Sequence, residues 1–267
     1  MEPLRLILDP PLTGFENMSR DQAMLDLAVE SDVPPTLRFF QWDKLTLTVG
    51  KLQKVESVNI CHLERYSIPL VRRPTGGRAI LHHHEVTFSL LLPRLFFGAG
   101  SSPAEAYEKL RQVLLLLLEI LGVTPDREAL NQPYLSSPYC FSLNVAHEIT
   151  VKGKKLIGVA QARNREAVLF QGSFILSADR KRIAACFHEA DKVFHELSGN
   201  MLALEEILPD IPDYRTLTDS FLESFAREWG VMFRKPGWME EEIARSADLV
   251  RTHYYPGSPF ILGKVVE

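Results

Sequence analysis

No two cysteines in this sequence stand as a CxxC pair. The three that occur, Cys61, Cys140 and Cys186, are far apart and odd in number. That argues against a disulfide framework or a zinc knuckle and predicts a reducing, cytoplasmic setting. Basic residues are not in excess. The formal net charge is −4, so no nucleic-acid partner is expected. Long apolar runs are also missing. The longest, Val113–Val123, contains Glu119 and is too short to span a bilayer, so no membrane association is expected. The opening MEPLRLILDPPLTGF lacks a basic start followed by a long apolar core and is not expected to be a secretion signal. Neither PTGGRA nor VKGKKLIG ends in Gly-Lys-Ser/Thr, so a Walker-type nucleotide site is poorly supported. Repeats, low-complexity tracts and linkers are absent as well.

What is present suits one domain over 1–267: 267 residues, 46% of them hydrophobic. Leu4–Leu8 reads as a strand. Ser19–Ser31 reads as a helix capped by Ser19, with Ala23, Met24, Leu27 and Ala28 on one face. PPTLRFFQW and LTLTVG read as strands joined by a turn at Asp43 and Lys44. One strand leads into Arg73. A turn covers Pro74–Gly77, and a second strand runs through AILHHHEVTFSLLL. Pro103–Gly122 is the longest predicted helix, with proline near its first turn and glycine at its end. NQPYLSSPYCF reads as a loop, HEITVKGKKLIGVAQ as a hairpin turning near Gly153, and EAVLFQGSFIL as a further strand. From about residue 191 the pattern is helical, with Phe221, Leu222, Phe225 and Trp229 on one stripe. The sum is an α+β fold, a largely antiparallel or mixed β-sheet flanked by helices.

The densest segment is RRPTGGRAILHHHEVTFSLLLP, Arg72–Pro93. Three readings compete: a phosphate loop, a metal site, or a pocket wall that approaches its ligand closely. Gly76–Gly77 allow positive φ and close backbone approach, as they also would in a plain hairpin turn. On a continuous strand His82 and His84 would share a face, but a zinc site needs a third ligand and none stands nearby, so no metal is expected. The plain alternative for His83 and His84 is solvent exposure. Cys140 lies in a Pro/Ser/Tyr-rich loop ahead of a hairpin carrying Lys152, Lys154 and Lys155. A lone cysteine is usually a small buried hydrophobe. A cation folded back toward it would instead favour the thiolate. The alternation of GKKLIGVAQ turns one lysine inward without saying which.

Taken together the motifs resemble the biotin/lipoate A/B protein ligase superfamily. The resemblance runs from GFENMSRDQAMLDLA to FQGSFIL and rests on the order RFFQW, LTLTVG, RRPTGGRAILH, GKKLIGVAQ. Within it the sequence most resembles the cysteine-dependent octanoyltransferases, which carry Cys-Phe ahead of the Gly-x-Lys strand, as Cys140–Phe141 stand here. The resemblance implies the superfamily's catalytic fold and no cofactor. It implies Cys140 as nucleophile and Lys155 as its proton partner. Arg72, Arg73, Thr75, Gly76, Gly77, His82, Gly158, Ala160 and Gln161 are the implied substrate-binding residues, with VTFSLLL as apolar pocket wall. Gly76–Gly77 or Gly158 are the implied backbone oxyanion donors. The implied donor is octanoyl-acyl carrier protein. The implied acceptor is a lysine on a lipoyl-domain protein, such as glycine cleavage H protein or a 2-oxoacid dehydrogenase E2. Other readings are an ATP-dependent lipoate ligase, an amidotransferase between lipoyl domains, or a non-catalytic carrier-protein binder. The sequence departs from the family twice: FQGS (Phe170–Ser173) where Gln-His-Gly is usual, and His83 where an aspartate follows the motif histidine.

Overall fold

Side-chain alternation along two long neighbouring strands decides how this molecule is layered. The computed structural model describes residues 3–127, 137–142 and 148–263. Its strands are β1 (Leu4–Leu12), β2 (Thr36–Trp42), β3 (Thr46–Val49), β4 (Leu70–Arg72), β5 (Ile80–His82), β6 (Glu85–Pro93), β7 (Ile149–Val151), β8 (Lys154–Arg163), β9 (Ala167–Ile175) and β10 (Phe233–Arg234). The helices are α1 (Gly14–Glu30), α2 (Ile60–Arg65), α3 (Pro103–Ile120), α4 (Arg180–Ala185), α5 (Ala190–Asn200), α6 (Tyr214–Trp229), α7 (Glu240–Thr252) and α8 (Pro259–Leu262). Seven strands form one mixed sheet in the order β10-β1-β2-β6-β9-β8-β7, antiparallel from β2 onward. The strands β10, β1 and β2 run parallel. A small second sheet has the order β4-β3-β5. This is the expected α+β fold with a mixed sheet between helices.

On β6, Val86, Phe88, Leu90 and Leu92 face α3 and α6, where they pack with Leu114, Phe221 and Phe225. Phe88 and Phe221 have ring centroids 5.4 Å apart. Gly172 on β9 makes room for Phe88, because a Cβ there would lie 2.3 Å from its ring. The alternate residues of the same strands face α1. Most are polar: Glu85, Thr87 and Ser89 on β6, Gln171 and Ser173 on β9. The apolar set of VTFSLLL is thus spent on the core. It does not form the pocket wall expected of it, because period-two alternation aims Val86, Phe88, Leu90 and Leu92 at α3 and α6, while Leu91 packs against α1.

Three local expectations are corrected. The first helix begins at Gly14, where Thr13 and Glu16 make a reciprocal capping box. Ser19 is buried inside it and bonds Ser246 Oγ at 2.8 Å. RFFQW and LTLTVG are strands joined by a bend at Asp43 and Lys44, as expected, and they belong to different sheets. AILHHHEVTFSLLL is two strands in different sheets, broken at His83–His84. The helical C-terminal portion starts at Arg180 and also contains β10, which pairs with β1. It is stitched to the start of the chain by a buried pair, Arg5 Nη1 to Glu242 Oε2 at 2.7 Å. Among the described residues no helix is long and apolar enough to cross a membrane.

Candidate active site

The turn after β4 builds the seat of Cys140. Ala79 pairs with Tyr139 as an isolated parallel bridge. The Cys140 N–H donates to the Ala79 carbonyl at 2.9 Å, and the Ala79 N–H donates to Pro138 at 3.1 Å. Gln53 Nε2 holds the Pro138 carbonyl from the other side at 2.8 Å. The cysteine therefore rides on the strand that follows the Gly-Gly turn, which is why segments some sixty residues apart in sequence meet. Cys140 opens a short 3-10 turn, Cys140–Ser142, and is half-buried. Phe141 next to it is wholly buried and lies over Gly158 of β8, where a Cβ would stand 2.9 Å from the ring. Any side chain at 158 would push the cysteine's neighbour away.

The hairpin of β7 and β8 supplies the cation. Its turn is Lys152–Gly153, both with positive φ. Lys152 is exposed and Lys154 Nζ donates to Ser198 O, so the inward lysine is Lys155. Its Nζ lies 3.5 Å from Cys140 Sγ and 2.8 Å from Glu148 Oε1, and the side chain is almost fully buried. Burial alone would push the Lys155 pKa down. The Cys140 sulfur and the Glu148 carboxylate outweigh it and hold the value above that of an ordinary lysine. Burial pushes Glu148 up, and the Lys155 ammonium offsets part of that.

A second cation faces the same cysteine. Arg73 is buried and lines a narrow pocket together with Cys140. Its guanidinium donates to the carbonyls of Gly76 at 2.6 Å and Arg78 at 2.7 Å and to Thr48 Oγ1. Burial pulls its pKa down to about 10, against the opposing pull of Cys140. Arg72 is different. It reaches the carbonyls of Gly50, Lys51, Gln53 and Phe260 and holds the loop behind the turn. Both arginines are buried turn supports, leaving neither free to meet a carrier protein at the surface.

The remaining wall of the pocket comes from Met18, Phe40, Trp42, Ile80, His82, Thr87, Gly158, Val159, Ala160 and the Gln171–Ser173 stretch. Ala160 and Gly158 are part of this wall. Gly77 abuts Ala160: a Cβ on the glycine would lie 3.7 Å from the alanine's, and Gly77 has φ +85°. Gly76 donates to the Gln161 carbonyl at 3.4 Å, so its N–H is engaged. The Gln161 side chain points away, donating to Pro103 O at the start of α3. Thr75 is buried and donates to Gln171 Oε1 at 2.6 Å. Gln171 in turn donates to Asp21 Oδ2 at 2.6 Å. The FQGS departure therefore falls in the pocket itself.

His82 is buried and stacks on Trp42, centroids 3.9 Å apart. Its two ring nitrogens meet Thr48 Oγ1 at 2.7 Å and Glu85 Oε1 at 2.5 Å. His83 and His84 are exposed in the bend beyond β5, so His82 and His84 do not share a strand face. Among the described residues no three of His, Cys, Asp and Glu gather as metal ligands would. The carboxylate at the His82 ring comes from Glu85, three residues on, while His83 directly after it is exposed.

A model of the lipoyl protein ligase A/B catalytic domain matches residues 13–226 of this chain. The chain belongs to that family. Among curated relatives, octanoyltransferase LipM of Brevibacillus brevis is 30% identical, covering 95% of this chain and 97% of that one. The LipM of Carboxydothermus hydrogenoformans is 31% identical, with the same coverage. Among solved structures, a lipoate-protein ligase A bound with ATP superposes with TM-score 0.81 at 20% identity, over 99% of this chain and all of that one. A bi-partite lipoate protein ligase of Thermoplasma acidophilum, described with its E2 lipoyl domain, gives 0.82 at 18%, over 100% of this chain and 99% of that one. These two structures establish the lipoyl ligase catalytic fold.

Four residues of this family member were not foreseen at the site: Glu148, Glu85, Trp42 and Gln171. Glu148 stands just before the first hairpin strand. Only the folding of that hairpin brings it to Lys155. The others are set by strand register across two sheets, which no local pattern encodes.

Proposed function

We propose that this protein is an acyltransferase of lipoate biosynthesis. It moves an octanoyl group from octanoyl-acyl carrier protein to a lysine of a lipoyl domain, by way of a thioester on Cys140. The observation that carries this reading is the Lys155 ammonium 3.5 Å from the Cys140 sulfur, on the wall of a pocket with apolar sides. LipM-type relatives at about 30% identity over nearly the whole chain support the same reaction.

A cation beside the sulfur favours the thiolate, which is the nucleophile. The Cys140 sulfur forms a bond to the donor's carbonyl carbon, and the bond from that carbon to the carrier sulfur breaks. The carrier leaves as a thiolate and takes a proton from water. The neutral amine of the acceptor lysine then attacks the acyl-enzyme. As the intermediate collapses, Lys155 passes its proton to the departing Cys140 sulfur and takes one from the new amide nitrogen. The amide is more stable than the thioester, so the second step runs downhill. Arg73, lining the same pocket, is the cation available to the oxyanion of both tetrahedral intermediates. The acceptor is a lipoyl-domain protein of the glycine cleavage H or 2-oxoacid dehydrogenase E2 kind. The chain works as one catalytic unit over 1–267, in the cytoplasm, without cofactor or metal.

Incubation with octanoyl-acyl carrier protein in the absence of ATP, followed by intact-mass measurement, tests this. One octanoyl adduct, labile to hydroxylamine and mapped to Cys140, is expected. No adduct on the enzyme, with octanoylation of a lipoyl domain only when free acid and ATP are supplied, would establish a ligase instead. No adduct on the enzyme and no octanoylated lipoyl domain under either condition would leave a carrier-protein binder.

A further inference from the structure

Lys155 poses a chemical hazard to the thioester it serves. Its nitrogen lies 3.5 Å from the Cys140 sulfur, so the carbonyl carbon of an acyl group on that sulfur would fall within reach of it. Reacting atoms held about 3–3.5 Å apart have effective molarities of order 10⁵ M or more. A neutral amine so placed would capture the acyl group. The nitrogen would bond to the carbonyl carbon, the carbon–sulfur bond would break, and the amine proton would pass to the sulfur. The product would be a Cys140 thiol and an octanoyl amide on Lys155. That amide is too stable to return the acyl group, and the enzyme would be dead.

In the free enzyme the thiolate can serve as the ammonium's counter-ion. Acylation removes that charge, because a thioester sulfur is neutral. Lys155 is then a buried cation that has lost one of its two partners, and burial disfavours an unpaired charge. Glu148 is the partner that remains. Its Oε1 is 2.8 Å from Nζ and its side chain is largely buried. The ion pair does not involve the sulfur and so persists through the catalytic cycle.

We infer that Glu148 is a guard: a positioning residue that keeps Lys155 protonated while Cys140 carries the acyl group, and so prevents self-acylation of the lysine. The inference rests on the acyl-enzyme reading above and adds to it a role for a residue outside the Cys140–Lys155 pair. The hydrogen-bonding groups around the pair fit this role. Phe141 offers Nζ only its ring face, 5.3 Å away, and Tyr107 is a buried phenol whose pKa is raised by burial and by Glu148. Among the described residues Glu148 is the one carboxylate paired with Lys155.

The test loads wild type and Glu148→Gln with the octanoyl thioester of N-acetylcysteamine, without acceptor, and follows them by mass. This small donor acylates thiols chemically, so the outcome does not depend on which carrier protein is the natural donor. Glutamine preserves shape and hydrogen bonding but not charge. In wild type the adduct should be hydroxylamine-labile and lie on Cys140. In Glu148→Gln a hydroxylamine-resistant octanoyl group should accumulate on Lys155, with loss of activity in step, at least ten-fold faster than in wild type. Glu148→Asp, which restores the charge, should suppress it. An adduct in Glu148→Gln that stays labile and on Cys140 overturns the inference, as does equal lysine acylation in Glu148→Asp. If Glu148→Gln fails to fold, Glu148→Asp against wild type at rising pH gives the same readout, since deprotonating Lys155 should produce the amide in both, earlier in the weaker pair. Wild type that loads from the small thioester but not from acyl carrier protein would refute the proposed donor and leave this inference standing.

Discussion

The ring of Phe141 occupies the space that a side chain at Gly158 would need, with only 2.9 Å between the ring and a Cβ built there. This contact joins the two sequence motifs that carry the chemistry, because Phe141 follows the cysteine and Gly158 follows Lys155 by three. Gly158→Ala should push Phe141 out and move the sulfur off Lys155. Overpacking of this kind costs about 1–3 kcal/mol. Octanoyl loading should fall at least ten-fold while the protein still melts cooperatively. Unchanged loading kinetics would mean that the Phe141 contact does not set the position of the sulfur.

The three cysteines should separate cleanly. Cys61 is exposed on α2, with no lysine partner among the described residues. Cys186 is fully buried, and burial pushes its thiol up to about 12. Cys140→Ala should abolish the adduct and transfer, and Cys140→Ser should leave a slow oxygen ester. Cys61→Ala and Cys186→Ala should keep activity, the second with some loss of stability from the small cavity. Near wild-type octanoyl transfer by Cys140→Ala would end the covalent mechanism.

Much of this arrangement was legible in the sequence, and what was not has a common cause. The inward lysine could be narrowed to the GKKLIGVAQ hairpin because period-two alternation and a Gly turn are local signals. The strands at RFFQW and LTLTVG were readable for the same reason. Their partners were not, since β2 pairs with β6 while β3 pairs with β4 and β5. The break at His83–His84 follows from that. Glu85 must turn inward to meet His82, Thr87 and Ser173, and the chain changes sheets to allow it. Ser19 was a plausible cap by residue type, but the reciprocal pair of Thr13 and Glu16 satisfies more backbone donors six residues earlier. The wall of the pocket was misassigned because an apolar strand face can serve a core or a ligand equally well. Part of the NQPYLSSPYCF loop and His147 of the hairpin lie outside the described residues.

Lysine substitutions should discriminate between a local and a diffuse role for the hairpin's positive charge. Lys155→Ala removes the ammonium beside the sulfur and should cut transfer by roughly 10²–10⁴-fold, in the range of a lost general acid–base group. Far-ultraviolet circular dichroism should remain that of wild type. Lys152→Ala, at the exposed turn, should be within about two-fold of wild type, since nothing in the site depends on it. Its φ of +52° also makes glycine the gentler replacement there. Equal losses in Lys152→Ala and Lys155→Ala, measured as kcat/KM for the carrier-bound donor, would point to a docking patch instead.

Glu85 gives a prediction in pH. It is fully enclosed and accepts from Thr87 Oγ1 at 2.6 Å and Ser173 Oγ at 2.5 Å, with His82 Nδ1 at 2.5 Å. Burial would raise its pKa, but His82 and these hydrogen bonds outweigh it and hold the carboxyl below the ordinary glutamate value of 4.5. A depressed folded pKa means that the unfolded chain binds the proton first. The resulting stabilisation is complete above pH 4.5 and is lost as pH falls through the lower folded value. Glu85→Gln keeps the shape and cannot titrate. At pH 7 it should be less stable by about 1.5–3 kcal/mol, the usual range for hydrogen bonds to a charged group. The gap between the two proteins should then shrink on going from pH 5 to pH 3. Octanoyl loading by Glu85→Gln should also slow, because His82 loses the carboxylate that orients it against Trp42. Denaturant melts of both proteins across pH 3–7 decide the matter. Two parallel stability curves over that range would show that the Glu85 carboxyl binds its proton equally well in the folded and unfolded protein.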